Sequence, residues 1–218
     1  MQELKETAVA TLDAREAAPI LDTAKRQQLM EGARRVFLER GFDGASVGDI
    51  VRAAGISKGT LYAYFPSKEK LFETLVFEDK RKQAEALCVF DEADEDVGRV
   101  LTELGTSMNE MMIKPEHVAF VRIVIGAVGK FPEIGRAFYE AGPGYGIARL
   151  AQYLRRMTEK GRLQVAEPTR AAQQFLDLCK SGCHAQLLFG YAPAPTREEI
   201  ARNVESAVNV FLKIYGRA

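Results

Sequence analysis

Three serines close together constrain the fold of this chain more than any other feature. Ser46, Ser57 and Ser67 each precede a segment with helical spacing of apolar residues, and a serine side chain there accepts a hydrogen bond from the backbone at the helix start. Gly55 supplies the left-handed residue that ends the first of these helices, and Pro66 ends the second because the residue before a proline disfavours the helical region. Two short helices joined by a tight turn, followed by a long helix, predict a helix-turn-helix.

The remainder of the 218 residues also has helical periodicity, and strand signals are missing. A first helix is predicted to be capped by Asp22 or Thr23 and to stop at Gly41, ahead of the segment with the three serines. After the acidic run Asp91–Asp96, a solvated connection, further helices are predicted over 97–112, 115–128, 132–140, 147–160, 169–189 and 196–215, with a break at 142–146. The fold class is therefore all-α.

Composition and charge exclude several kinds of protein. Thirty basic residues are balanced by thirty acidic ones, which argues against a general binder of polyanions but not against a local basic face. The three cysteines cannot all pair with one another and suit a reducing compartment. The longest apolar stretch, 118–128, contains Arg122 and is far shorter than the roughly 20 residues that cross a bilayer. We expect a soluble, cytoplasmic protein without a membrane segment.

The second capped helix, Lys58–Tyr64, is the candidate for insertion into the DNA major groove. Leu61 and Phe65, four residues apart, can anchor it to a small core. Its glycine allows close approach to DNA, and the free N–H groups at its start suit phosphate. Between residues 22 and 70 nine bases face six acids, a modest basic surplus in a neutral chain. The positions left for the outer face are Lys58, Gly59, Thr60, Tyr62 and Tyr64.

The run GASVGDIVRAAGISKGTLYAYFPSKEKLF, preceded by a helix ending in ERGF, closely resembles the N-terminal domain of TetR/AcrR-family transcriptional regulators over residues 22–75. The segment FPEIGRAFYEAGPGYGIARLAQYL, with GRLQVAEP and QFLDLCKSG after it, is similar to the ligand-binding region of AefR-like repressors. The resemblance implies a tail at 1–21, a helix-turn-helix DNA-binding domain at 22–68, and a helical ligand-binding and dimerisation domain at 69–218. It implies DNA contacts by Ser46, Ser57, Lys58, Gly59, Thr60, Tyr62, Tyr64 and Lys68, the last as a phosphate clamp at a helix start.

Two positions depart from relatives and reduce direct base readout. Ala63 stands where several relatives carry a large aromatic residue, and Gly48 stands where some carry an arginine. Thr60 and Lys58 remain as the best base readers, while Ala63 can touch a thymine methyl group. Packing against the first helix is the alternative role for Tyr62, and simple solvation is the alternative for Lys58.

The C-terminal region is expected to pair two chains and to hold a small molecule. The resemblance places dimerisation on the last two long helices, although the same apolar stripe is typical of any core helix; it comprises Phe175, Leu178, Leu187, Val204, Val208, Phe211 and Leu212. Arg122 either pairs with a neighbouring acid or anchors an acidic ligand group. Methionines suit an adaptable apolar pocket, and the candidate ligand contacts are Met108, Met112, Phe120, Arg122, Val124, Phe138 and Cys179.

Other functions have weaker support. Cys179, Cys183 and His184 share a helix face, but no fourth zinc ligand is evident and buried cysteine behaves as a small hydrophobe. We expect no metal, no cofactor and no enzyme activity. The alternatives are a sensor module whose helix-turn-helix has lost DNA binding and an enzyme of the C-terminal region. The favoured hypothesis is a homodimeric repressor that binds a palindromic operator and is released by a largely apolar small molecule.

Overall fold

The computed structural model describes residues 23–91 and 93–217. Over these residues the chain forms eleven α-helices and one π-helical segment, with a single isolated antiparallel bridge between Leu163 and Gly216. The all-α prediction is confirmed. The helices are α1 Thr23–Gly44, α2 Val47–Ala54, α3 Lys58–Tyr64, α4 Lys68–Leu87, α5 Val97–Met112, α6 Pro115–Val128, α7 Pro132–Tyr139, the π-helix Glu140–Gly144, α8 Tyr145–Glu159, α9 Pro168–Lys180, α10 His184–Leu188 and α11 Arg197–Tyr215.

The predicted caps form as expected. The Ser46 hydroxyl accepts a hydrogen bond from the Asp49 N–H at 3.1 Å, and the Ser57 and Ser67 hydroxyls accept equivalent bonds at the starts of α3 and α4. Gly55 ends α2 in the left-handed conformation, with φ 64° and ψ 35°. Local hydrogen bonding therefore defines the helix-turn-helix. The predicted tail 1–21, the alternative cap Asp22 and Glu92 of the acidic run lie outside the described residues.

Three predicted boundaries need correction. Gly41 does interrupt α1, with φ 71°, but one further turn continues to Gly44. The predicted break at 142–146 is wrong, since the π-helix carries the chain from α7 into α8 without leaving a helical path. The predicted helix 169–189 is also wrong, because Gly182 adopts φ 82° and separates α9 from the short α10.

Two apolar clusters hold the described helices together. The first, called the N-terminal cluster, joins α1–α4 to residues of α6 and α7, including Phe120, Val124 and Ile134. The other joins α5, α8, α9 and α11. The N-terminal helices therefore share their core with α6 and α7, and the domain boundary at 68/69 stays a prediction.

Helix α4 links the two parts of the molecule. Its first residue, Lys68, contacts the last turn of α1 and the loop after it, while Lys80 and Ala84 lie among the helices of the C-terminal part. Twelve residues of α-helix between Lys68 and Lys80 span about 18 Å. Of the helices described here, not one is both long and apolar enough to cross a membrane.

Candidate DNA interface and effector cavity

Helix α3 presents one face to the core and the other to solvent. Leu61 is fully buried and Phe65 is 5% exposed, so the two predicted anchors lie in the N-terminal cluster. Tyr62 is 52% exposed, and Lys58 and Gly59 are exposed as well. Thr60 and Tyr64 are half-buried. The predicted outer positions of α3 thus lie on or beside a single accessible face, and Tyr62 does not pack as a core residue.

Local hydrogen bonds fix the hydroxyl groups at the start of α3. The Ser57 hydroxyl accepts a hydrogen bond from the Thr60 N–H at 3.0 Å, and the two hydroxyls lie 2.9 Å apart. Lys58, between them, is exposed and forms no ion pair or hydrogen bond with any described residue. An unpaired cation beside a helix start suits a phosphate or an acceptor on a base edge.

The start of α2 carries an acid whose charge is balanced. Ser46 donates a hydrogen bond to Asp49 Oδ2 at 2.6 Å, and Arg40 and Arg52 lie 3.1 and 3.2 Å from the same carboxylate. The hydrogen bond from Ser46, helped by the two guanidinium groups, lowers the pKa of Asp49. Because two arginines face one carboxylate, this end of α2 is not repulsive to a DNA backbone.

Lys68 is more firmly held than the sequence implied. Its ammonium donates hydrogen bonds to the carbonyl oxygens of Phe42 at 2.8 Å and Ala45 at 3.0 Å, and lies 4.4 Å from the centre of the Phe42 ring. An ammonium has three N–H donors, so one remains for a phosphate. Lys68 therefore joins α4 to the loop that carries Ser46.

A cavity of about 460 Å³ lies among α4–α10. This volume is within the usual range for sites that enclose small molecules. Met108 and Met112 of α5 and Phe138 of α7, three of the predicted ligand contacts, line it. The remaining wall is mainly apolar and includes Leu87, Leu104, Met111, Val121, Tyr139, Ile147 and Leu176.

Four predicted ligand contacts lie away from this cavity. Phe120 and Val124 are 1% and 4% exposed and pack in the N-terminal cluster. Cys179 is fully buried in the other cluster, where its sulfur lies against Gly105. Arg122 projects from the exposed side of α6 and donates hydrogen bonds to the carbonyl oxygens of Leu187 and Leu188, both at 2.9 Å. It thus caps the end of α10 instead of pairing with an acid, and it lies outside the lining of the cavity.

The polar groups of the cavity were missed by the sequence reasoning. Lys80 is only 3% exposed, and its Nζ lies 3.0 Å from Gln83 Oε1 and 3.3 Å from His117 Nδ1. His184 also lines the cavity, and its buried Nδ1 has no hydrogen-bond partner among the described residues. A signal was present: Lys80 lies midway between Val76 and Ala84, four residues from each, on the buried stripe of α4.

Burial sets the protonation of these groups. Burial lowers the pKa of Lys80 to about 8. The negative charge of Asp79 opposes this shift, and the positive charge of Arg34 adds to it. Burial lowers the pKa of His117 to about 3, with further lowering by Lys80 and His184. Burial also lowers the pKa of His184. At neutral pH Lys80 is therefore mostly an ammonium, whereas the two imidazoles of the cavity are uncharged.

The predicted dimerisation stripe is largely internal. Phe175, Val204 and Phe211 are at most 1% exposed and pack in the cluster of α5, α8, α9 and α11. These three side chains therefore belong to the core of the chain itself, and pairing of two chains through the last two long helices stays a prediction. The outer side of α11 instead exposes Val210 (40%) and Ile214 (65%).

The cysteine cluster has the properties of buried thiols. Burial raises the pKa of Cys179 to about 12 and also raises the pKa of Cys183. Both remain protonated at neutral pH, the form that binds metals poorly. In the described part of the chain, no three His, Cys, Asp or Glu side chains form a group that could hold a metal ion.

An exposed recognition helix and a partly polar cavity, joined by one helix, define a helix-turn-helix transcriptional regulator. Two family models match this chain: residues 29–75 match the tetR family of bacterial regulatory proteins, and residues 99–217 match the C-terminal domain of AefR-like transcriptional repressors. The chain belongs to the TetR family and has the AefR-like type of C-terminal domain. The family comprises transcriptional regulators and not enzymes.

Relatives and solved structures agree with this assignment. The chain is 29% identical over 190 residues to the HTH-type transcriptional repressor AcnR of Corynebacterium glutamicum, covering 85% of this chain and 93% of that protein. The structure of the flavonoid-responsive regulator FrrA is 35% identical, with a TM-score of 0.76 over 89% of this chain and 99% of that one. A TetR-family regulator from Mesorhizobium loti shares the fold, with a TM-score of 0.78, 24% identity and coverage of 89% and 98%.

Proposed function

We propose that this TetR-family repressor binds a palindromic operator as a homodimer and releases it when a small, largely apolar molecule enters the cavity. The observation that carries the proposal is the path of α4, which begins at Lys68, bonded to Phe42 and Ala45 just ahead of α2, and lines the cavity with Lys80. A ligand that binds better to one position of α4 increases the population of molecules with α4 in that position. The spacing of the two α3 helices in the dimer changes as a result.

The proposed DNA contacts are those of the outer face of α3 and the helix starts around it. Lys58 and Thr60 read base edges, whereas Lys68 places its remaining N–H on a phosphate. A dimer would place two copies of α3 in successive major grooves about 34 Å apart. The full set of proposed DNA contacts is Ser46, Ser57, Lys58, Gly59, Thr60, Tyr62, Tyr64 and Lys68.

Selection of sites from random double-stranded DNA tests the operator. We expect a palindrome whose half-sites are separated by about one helical turn. A selection that returns no sequence would favour a sensor module without DNA binding. A gene regulator acts where the chromosome lies, so the proposal includes the bacterial cytoplasm.

The homodimer is proposed to form through the outer side of α11 around Val210 and Ile214. These side chains lie four residues apart and form an exposed apolar stripe. Ile214→Arg should give monomers by light scattering, because a charge would be buried without a partner. Val89→Arg, at an 83% exposed position after α4, is the control and should stay dimeric.

The effector is proposed to be aromatic in part. FrrA is named as flavonoid-responsive and is similar to this chain over nearly its whole length, and methionine-rich walls make favourable contacts with aromatic rings. Mass spectrometry of the protein under native conditions should detect a copurified small molecule whose addition releases DNA. Release caused only by molecules too large for about 460 Å³ would contradict the proposed cavity.

A further inference from the structure

The surroundings of Lys80 contain more positive charge than negative. The carboxylate of Asp79 lies 3.9 Å from Lys80 Nζ, but both of its oxygens have closer partners. One oxygen pairs with Arg34, and the other accepts a hydrogen bond from Gln83 at 2.7 Å. Two cations, Arg34 and Lys80, thus share one carboxylate among the described residues.

The other neighbours of Lys80 are uncharged. Its ammonium lies 5.1 Å from the centre of the Phe120 ring and 5.2 Å from that of Phe138, and it contacts Gln83 and neutral His117. Rings and neutral acceptors stabilise an ammonium but do not cancel its charge. A buried charge of this kind is costly unless it is paired.

The second lysine of the cavity differs in this respect. Lys180 also lines the cavity, but its Nζ lies 2.7 Å from a carboxylate oxygen of Asp177, its own partner on α9. The surplus positive charge of the cavity therefore belongs to Lys80. An incoming anion would meet an electrostatic partner at Lys80 and an already neutralised pair at Lys180.

We infer that the effector is a small aromatic anion whose carboxylate or phenolate oxygen is bound by the Lys80 ammonium, with its rings against the methionines of α5. His117 and His184 also line the cavity, and their imidazoles add polar groups to the wall beside Lys80. The inference rests on the proposed function, because it assigns a chemical class to that effector. It also places the charged group of the ligand against α4, the helix whose first residue, Lys68, contacts the residues just ahead of α2.

Isothermal titration calorimetry at pH 7 on the full-length protein tests the inference. The probes are a panel of aromatic carboxylates and phenols, each paired with an analogue that cannot ionise. trans-Cinnamate with cinnamamide represents the carboxylates, and apigenin with its trimethyl ether represents the phenols. We expect at least one acidic member to bind about tenfold more tightly than its neutral partner; the two series separate carboxylate from phenolate recognition.

Lys80→Met and Lys180→Met form a matched pair of variants. Lys80→Met should reduce the ratio of acidic to neutral affinity to about one while still binding the neutral compounds, which shows that the cavity is folded. Lys180→Met should keep the ratio. The inference is overturned if no acidic probe binds at 1 mM, if neutral partners bind wild-type protein equally well, or if Lys80→Met keeps the discrimination.

Failure of this inference is distinguishable from failure of the proposed function. If acidic probes do not bind but the protein selects a palindrome and is released by a neutral molecule, only the chemical class is wrong. If the protein selects no DNA, the proposed function fails whatever calorimetry shows.

Discussion

Lys80 Nζ lies 3.3 Å from His117 Nδ1, which joins the central part of α4 to α6 inside the cavity wall. Since Nδ1 faces an ammonium, it acts as the acceptor and the imidazole stays neutral. The pair holds one positive charge between two helices from different parts of the chain. The protonation of His117 is therefore linked to the stability of the fold.

His117 should make the protein less stable in mild acid. Its pKa is lowered to about 3 in the folded state, against about 6.5 when unfolded. The unfolded state therefore binds the proton first, so stability that is complete above pH 6.5 is lost as the pH falls towards 3. At pH 5 the loss from this group is about 2 kcal/mol.

Denaturant unfolding of wild-type and His117→Gln protein at pH 7 and pH 5 measures this loss. The variant cannot titrate, and its free energy of unfolding should fall by about 2 kcal/mol less than that of wild type. An equal fall in both proteins would show that His117 is not the group responsible.

Lys68 should contribute to both stability and DNA affinity. Lys68→Met removes two charge-assisted hydrogen bonds, one to the end of α1 and one to the α1–α2 loop, so the free energy of unfolding should fall by about 2 kcal/mol. Loss of a phosphate contact should lower the dependence of operator affinity on salt by about one unit, equally for all sequences. Fluorescence anisotropy at several salt concentrations measures the latter.

Lys70→Met is the control for Lys68. Lys70 is exposed and its ammonium lies 2.9 Å from Glu73, so its loss should change neither quantity appreciably. An unchanged salt dependence for Lys68→Met would leave Lys68 as a residue that positions the loop without contacting phosphate.

Thr60 should affect which base is preferred at one operator position. It lies on α3 beside exposed Lys58, and its hydroxyl is held by Ser57. Thr60→Ala is expected to relax the preference at a single base pair by about 1–3 kcal/mol, as measured by binding to a set of single-substitution operators. Uniform weakening across the set would make Thr60 a backbone contact.

Gly32 should be needed for the packing of α1 against α2. A Cβ atom added there would lie 2.7–2.8 Å from Cβ, Cα and N of Ala54. Gly32→Ala is therefore expected to destabilise the protein by about 1–3 kcal/mol, as in other overpacked cores, and to weaken operator binding because α2 must shift.

Gly126→Ala is the matched control, since a Cβ at that helical position would meet nothing within 4 Å. It should be neutral or stabilise by up to about 1 kcal/mol. Thermal unfolding compares the two variants, and equal midpoints would contradict a close helix contact at Gly32.

The sequence by itself determined the all-α class and the helix-turn-helix. The caps at Ser46, Ser57 and Ser67 and the left-handed Gly55 depend on hydrogen bonds within four residues, so they can be predicted from local residue types. The anchoring roles of Leu61 and Phe65 could also be predicted, because helical spacing is likewise a local property of the sequence. The sequence wrongly predicts a break at 142–146 and does not predict the break at Gly182, because glycine permits several conformations and packing selects one.

Only the tertiary structure decided which side chains share a surface. Lys80, His117 and His184 come from three helices, and their proximity depends on how those helices pack. Phe120 and Val124 looked like pocket residues because an apolar residue has the same sequence signal in a cavity wall as in a core. Arg122 found its partners on α10, more than 60 residues away. Local hydrogen bonding fixes helices, whereas the packing between them places charges and cavities.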